Sequence, residues 1–128
     1  MTAKVADASV VVALLFNEVT RDAVVGWLRD STLYAPVLLE FEVANACLKK
    51  IRVTPDEGPM LLEAFALLPQ LSIELRQVDP GEAIRLAHRM KLSLYDASYL
   101  WLARAIGAEL LTLDEKLARA NAALDRPA

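Results

Sequence analysis

Strand-like apolar runs alternate with helix start signals along the whole 128-residue chain. Lys4 to Ala6 reads as a short buried strand, and an apolar helix spanning Ser9 to Phe16 follows it at once. Thr20 is placed to cap a helix through about Asp30, with Ala23, Val24, Trp27 and Leu28 at helical spacing. Leu33 to Ala35 is a second short strand, and Pro36 then suits the first turn of a helix to about Arg52. Thr54-Pro55-Asp56-Glu57 has the pattern of a capping box and opens a helix to about Leu68. Ile73 to Val78 alternates as a strand, and Asp79-Pro80-Gly81-Glu82 repeats the start signal for a helix to about Lys91. Ser93 opens a helix to about Ile106, which Gly107 ends. Glu109 to Leu113 is the last strand, and Asp114 leads a terminal helix. This alternation predicts one α/β domain over residues 1–128. Its central parallel sheet, of about four to five short strands, is expected to carry helices on both faces.

Composition removes several other classes. Hydrophobic residues make up 55% of the chain, too many for disorder. The longest clean apolar run, Val10 to Phe16, is too short to cross a bilayer, so no membrane partner is expected. A single cysteine, Cys47, excludes an internal disulfide and suits a reducing compartment. No basic-then-apolar leader precedes the first strand, and a cytoplasmic setting is expected. With one Cys and one His, His88, a Cys/His zinc site within one chain is excluded by count.

Four acids then stand out against this apolar background: Asp7, Glu42, Asp96 and Asp114. Asp7 and Asp114 each follow a strand, where the ligand crevice of an open parallel sheet lies. Each also has a plain reading as a helix N-cap, and Thr112 with Glu115 offers a capping box around Asp114. Asp96 sits three residues after Ser93, which permits a Ser-x-x-Asp box. Yet Tyr99, Leu100 and Ala103 follow it at three, four and seven residues, which puts Asp96 on an apolar helix stripe. Glu42 shares its face with Asn45, Lys49 and Arg52, while Phe41, Ala44, Cys47 and Leu48 form the other face. That polar stripe is either solvated or a ligand carboxylate, an orienting amide and two cations that meet phosphate. Glu40 competes with Glu42 and falls nearer the apolar side. Ser9, two residues past Asp7, can bind water or metal or cap a helix. Arg85, Arg89 and Lys91 read as a solvated face, and the Trp27, Tyr99 and Trp101 rings as core or interface.

Buried carboxylates gathered together repel one another unless a cation lies between them, and oxygen-only ligands suit a hard cation. The net charge of −3 argues against nucleic acid, but setting the four acids aside leaves 14 basic against 13 acidic residues. A surface so balanced tolerates a phosphate backbone once a metal neutralises the four.

Val5-Ala6-Asp7-Ala8-Ser9, Glu42-Val43-Ala44-Asn45, Tyr95-Asp96-Ala97-Ser98-Tyr99-Leu100 and Thr112-Leu113-Asp114 together resemble the PIN domain, and within it the VapC-type toxins of bacterial toxin–antitoxin systems. The resemblance covers essentially the whole chain in motif order and spacing. It implies a Mg2+- or Mn2+-dependent endoribonuclease, usually a homodimer, neutralised by a cognate antitoxin. By position, Asp7, Glu42, Asp96 and Asp114 match the family's acidic quartet, as catalytic and metal-binding residues. Ser9 matches its small hydroxyl, Asn45 the amide after the glutamate, and Thr112 stands as a further supporting residue. Lys49 and Arg52 are candidate RNA contacts. One departure is Leu117, where relatives often carry an aromatic. None of these motifs names the RNA.

Two other classes compete. Haloacid-dehalogenase phosphatases need Asp-x-Asp after the first strand, and this chain has Asp7-Ala8-Ser9; receiver domains want Lys-Pro after the last strand, where Asp114 stands. A non-catalytic RNA- or protein-binding module of the same fold is the second, separated from a nuclease by its indifference to metal.

Overall fold

The computed structural model describes residues 2–125. Strands β1 (Thr2–Ala6), β2 (Ser31–Pro36), β3 (Glu74–Arg76) and β4 (Glu109–Leu111) form one parallel sheet in the order β3-β2-β1-β4. Seven α-helices lie among the described residues: α1 (Ala8–Leu15), α2 (Arg21–Leu28), α3 (Leu39–Val53), α4 (Gly58–Phe65), α5 (Pro80–Met90), α6 (Leu94–Ile106) and α7 (Glu115–Leu124). The α/β class and the all-parallel sheet agree with the sequence reading.

From β1 the chain steps to β2 and β3 on one side, then returns to β4 on the other. Right-handed crossovers therefore put α1 to α4 on one face and α5 and α6 on the opposite face. Helix contacts follow this division: α1 meets α2 and α3, and α3 meets α4, while α6 meets α5 and α7. The reversal of direction occurs beside β1, so the switch-point crevice opens between the C-terminal ends of β1 and β4. Val5, at the heart of β1, pairs with both Tyr34 and Leu110 and is fully buried. Around it pack Val10, Val11, Leu39, Val43, Tyr99, Leu100, Leu102 and Leu117.

Several local expectations are corrected. Pro36 ends β2 rather than starting a helix: it pairs with Arg76, and the Val37 N–H donates to the Arg76 carbonyl at 3.1 Å. With that donor held by the sheet, α3 begins only at Leu39. The Thr54 capping box does not form, and the Thr54 side chain caps nothing. A 3-10 turn over Pro55–Glu57 precedes α4, because the Pro59 ring cannot follow a regular helical turn and α4 has to restart around it. Thr20 and Asp79 likewise precede helices without side-chain capping bonds. Two strands are shorter than the alternation suggested, β3 at Glu74–Arg76 and β4 at Glu109–Leu111. Helix ends fared better: Lys91 and Gly107 adopt the left-handed conformation that stops α5 and α6.

The buried face of α3 is also not the expected one. Leu39, Val43 and Cys47 face the core, while Phe41 is 83% exposed and Leu48 is exposed as well. Val53 on α3 and Met60 and Leu62 on α4 are also exposed.

Candidate active site

Each of the four acids owes its place to a short local device. Asp7 leaves β1 in an extended conformation, and its backbone N–H donates to the Leu111 carbonyl of β4 at 3.1 Å. Its side chain caps α1, with Oδ1 accepting from the Val10 N–H at 3.2 Å and from the Ser9 hydroxyl. Its Oδ2 accepts from the Thr112 hydroxyl. Ser9 Oγ in turn accepts from the Leu113 N–H at 2.9 Å, and Thr112 Oγ1 accepts from the Asp114 N–H at 2.9 Å. Two hydroxyls thus lace the end of β1 to the turn after β4. Asp114 then caps α7, its Oδ1 accepting from Lys116 and Leu117 N–H. The N-cap readings of Asp7 and Asp114 are therefore correct, and they coexist with a place at the sheet's C-terminal edge. Thr112 does not form the capping box with Glu115; its oxygen accepts from the Asp114 N–H while its hydroxyl proton goes to Asp7.

Asp96 lies in the first turn of α6, where Ser93 Oγ accepts its backbone N–H at 3.1 Å. Ala97, Tyr99, Leu100 and Ala103 below it are buried, as the helical stripe indicated. Glu42 projects from the first turn of α3, and its Oε1 accepts a 2.6 Å hydrogen bond from the Tyr99 hydroxyl. Asn45, one turn along, is exposed, and among the described residues the side-chain hydrogen bond to Glu42 comes from Tyr99. Glu40 is exposed and borders a separate cleft with Leu68, Pro69 and Ile73, so it does not compete with Glu42. Lys49 and Arg52 are exposed, seven and ten residues beyond Glu42 on α3, which is about 10 and 15 Å along the helix axis. His88 is exposed on α5.

Electrostatics binds the acids into one neighbourhood. Burial raises the Asp7 carboxyl above the usual carboxylate range; its hydrogen bonds from Ser9, Thr112 and Val10 oppose this, and the Asp96 charge adds to it. Burial likewise raises Glu42, with the Tyr99 hydrogen bond opposing and the Asp96 and Asp7 charges reinforcing. Asp96 is raised by burial and then by the Asp114 charge, against Ser93 and Lys116. Asp7, Glu42 and Asp96 are each raised in part by a neighbouring acid. Among the described residues no three ligating side chains stand close enough to enclose an ion as placed.

These shifts carry a pH signature. A carboxyl whose folded value lies above its unfolded value binds its proton more tightly in the folded chain. The stability tied to that proton is present at low pH and lost as pH rises through the raised value. In metal-free protein, Asp96→Asn is expected to raise the thermal midpoint at about pH 7.5, with a gain that shrinks toward about pH 4 as the wild-type carboxyl protonates. A gain that stays constant over that range would mean that Asp96 carries no such penalty.

A cleft of about 410 Å3 lies elsewhere, between α5, α6 and the end of α7, lined by Arg85, Arg89, Trp101 and Arg104 among others. None of the four acids borders it.

Comparison with known proteins agrees with the fold. Residues 4–123 match the PIN domain. Ribonuclease VapC3 of Pyrobaculum aerophilum is 34% identical over 128 residues, spanning 96% of this chain and 98% of the relative. Among solved structures, PAE2754 of Pyrobaculum aerophilum superposes with a TM-score of 0.75 at 24% identity, over 93% of this chain and 84% of that one. VapC20 of Mycobacterium tuberculosis, a sarcin–ricin-loop-cleaving toxin, superposes with a TM-score of 0.66 at 13% identity, over 91% of this chain and 94% of that one. At those identities the two structures speak for the fold. The family match over nearly the whole chain and the full-length relative place this protein in the PIN-domain family, with the VapC type as its branch.

Proposed function

We propose that the chain is a divalent-metal-dependent endoribonuclease that acts as a toxin and is neutralised by a cognate antitoxin. The observation that carries this reading is the lacing of Asp7 and Asp114 together at the ends of β1 and β4 by the Ser9 and Thr112 hydroxyls, with the Asp96 charge felt by Asp7 and Glu42. Kinship with Ribonuclease VapC3 supports an RNA substrate.

The residues suit a hard cation such as Mg2+ or Mn2+, since every candidate donor is a carboxylate or hydroxyl oxygen. An ionised carboxylate offers about four acceptor sites, and Asp7 gives three to Ser9, Val10 and Thr112. One lone pair remains, with which Asp7 would hold the ion. Asp96 would be its partner in direct coordination. Glu42 and Asp114 each keep one oxygen outside the hydrogen bonds described above, fitting them to bind through water or to orient it. Closing on an ion requires these side chains to draw inward from an open arrangement. When bound, the ion would activate water and neutralise charge building on the phosphate. Lys49 and Arg52 would then hold the flanking RNA backbone. Removing either is expected to weaken RNA binding and reduce the steepness of its salt dependence by about one unit. An unchanged slope in a titration against salt would remove that residue from the RNA path.

The exposed apolar side chains Phe41 and Leu48, on one face of α3, support protein partners, which we take to be a second copy of the chain and the antitoxin. Among the described residues no helix is long and apolar enough to cross a membrane; a cytoplasmic setting is part of the proposal.

The test is cleavage of a small-RNA pool by purified protein with Mg2+ or Mn2+, with chelator, and with Asp96→Asn. Discrete fragments should appear only for wild type with metal. Cutting that survives chelator, or is equal in Asp96→Asn, would overturn the reading. RNA binding without cutting, indifferent to metal, would favour the binding module.

A further inference from the structure

Tyr99 is 1% exposed, and its ring belongs to the core beneath the acids. Its hydroxyl is not spent on a nearby carbonyl of its own helix. It reaches from α6 to α3 and donates to Glu42 Oε1 at 2.6 Å, across a sequence separation of 57 residues. Tyr99 also lies one turn below Asp96, so a single helix presents one acid to the crevice and grips another from below. Glu42 is half-buried and flanked by the charges of Asp96 and Asp7. An untethered carboxylate in that position would swing outward to water and away from its neighbours.

We infer that Tyr99 is a positioning residue of the acidic site: its hydroxyl holds Glu42 in the crevice by one oxygen and leaves the other turned toward metal or water. A carboxylate held by an outer hydrogen bond keeps its orientation, and loss of such a partner typically costs about 10- to 100-fold in metal affinity or activity. Tyr99→Phe preserves the ring packing and deletes only the donor.

Part of the test rests on the metal reading above and part does not. The independent part is the metal-free crystal structure of Tyr99→Phe, in which the Glu42 carboxylate should leave its present place. A carboxylate that stays put overturns the inference, whatever the metal does. The second part is Mn2+ binding by calorimetry, without RNA. Tyr99→Phe should weaken binding about 10- to 100-fold in wild type and have no further effect in a Glu42→Ala background, as a residue acting only through Glu42 must. Equal losses in both backgrounds would make Tyr99 a general support of the fold and overturn the inference. The double variant also guards against misfolding, because removing both partners leaves neither polar group orphaned. If wild type binds no Mn2+ while Glu42 moves in Tyr99→Phe, the metal reading falls and the positioning role stands.

Discussion

Asp7→Asn is expected to lower RNA cleavage by about 10²- to 10⁴-fold, the equivalent of several kcal/mol of lost transition-state stabilisation, without unfolding the protein. The two effects separate because Asp7 does two jobs through the same atoms. An Asn amide oxygen still accepts from Ser9 and the Val10 N–H, so the cap on α1 survives. The new amide nitrogen would meet Thr112, whose hydroxyl can turn to accept from it. What disappears is the negative charge, buried and repelled by Asp96. Stability of metal-free Asp7→Asn should therefore equal or exceed that of wild type. Asp7→Ala should be equally inactive but less stable by about 1 kcal/mol, the usual worth of an N-cap. Cleavage kinetics and denaturant unfolding of both variants check this. Near-wild-type cleavage by Asp7→Asn would reduce Asp7 to a cap and remove the core of the proposed mechanism.

Leu100→Ala is expected to destabilise the fold by about 2–5 kcal/mol. Leu100 is fully buried in α6, the helix that touches β1, β2 and β4 as well as α5 and α7. Few places in the fold have less room to collapse into a cavity. Domains of this size are typically stable by only about 5–15 kcal/mol, so the loss would be a large fraction of the total. Urea unfolding gives the figure directly. A change below about 1 kcal/mol would mean that the α6 interface repacks freely. The substitution matters to function because α6 carries Asp96 and Tyr99, and its seating on the sheet sets where both stand.

Local signals in the chain were read well where one chemical group decides the outcome. Ser93 caps α6 and Gly107 stops it; Asp7 and Asp114 cap α1 and α7. Signals failed where a neighbour from another element claimed the same group. Pro36 looked like a helix start until β3 took the next N–H. The α3 wheel grouped Phe41, Ala44, Cys47 and Leu48 on one face, yet only Cys47 of them is buried, because a wheel ranks faces by hydrophobicity and is blind to which face meets a sheet. Asn45 looked like the partner of Glu42 because it is one turn away, but Tyr99 is the side chain seen to hold it.

The sequence by itself determined the strand–helix alternation, the parallel α/β class and the caps at Asp7, Ser93 and Asp114. Those are properties of short windows, where periodicity and capping chemistry act over a few residues. Only the tertiary structure decided that the ends of β1 and β4 are laced together by Ser9 and Thr112, and that Tyr99 grips Glu42 from another helix. No spacing rule connects residues 57 or 105 apart in the chain. Such contacts exist only after the sheet has set which ends are neighbours, and burial then obliges each polar group to find a partner there.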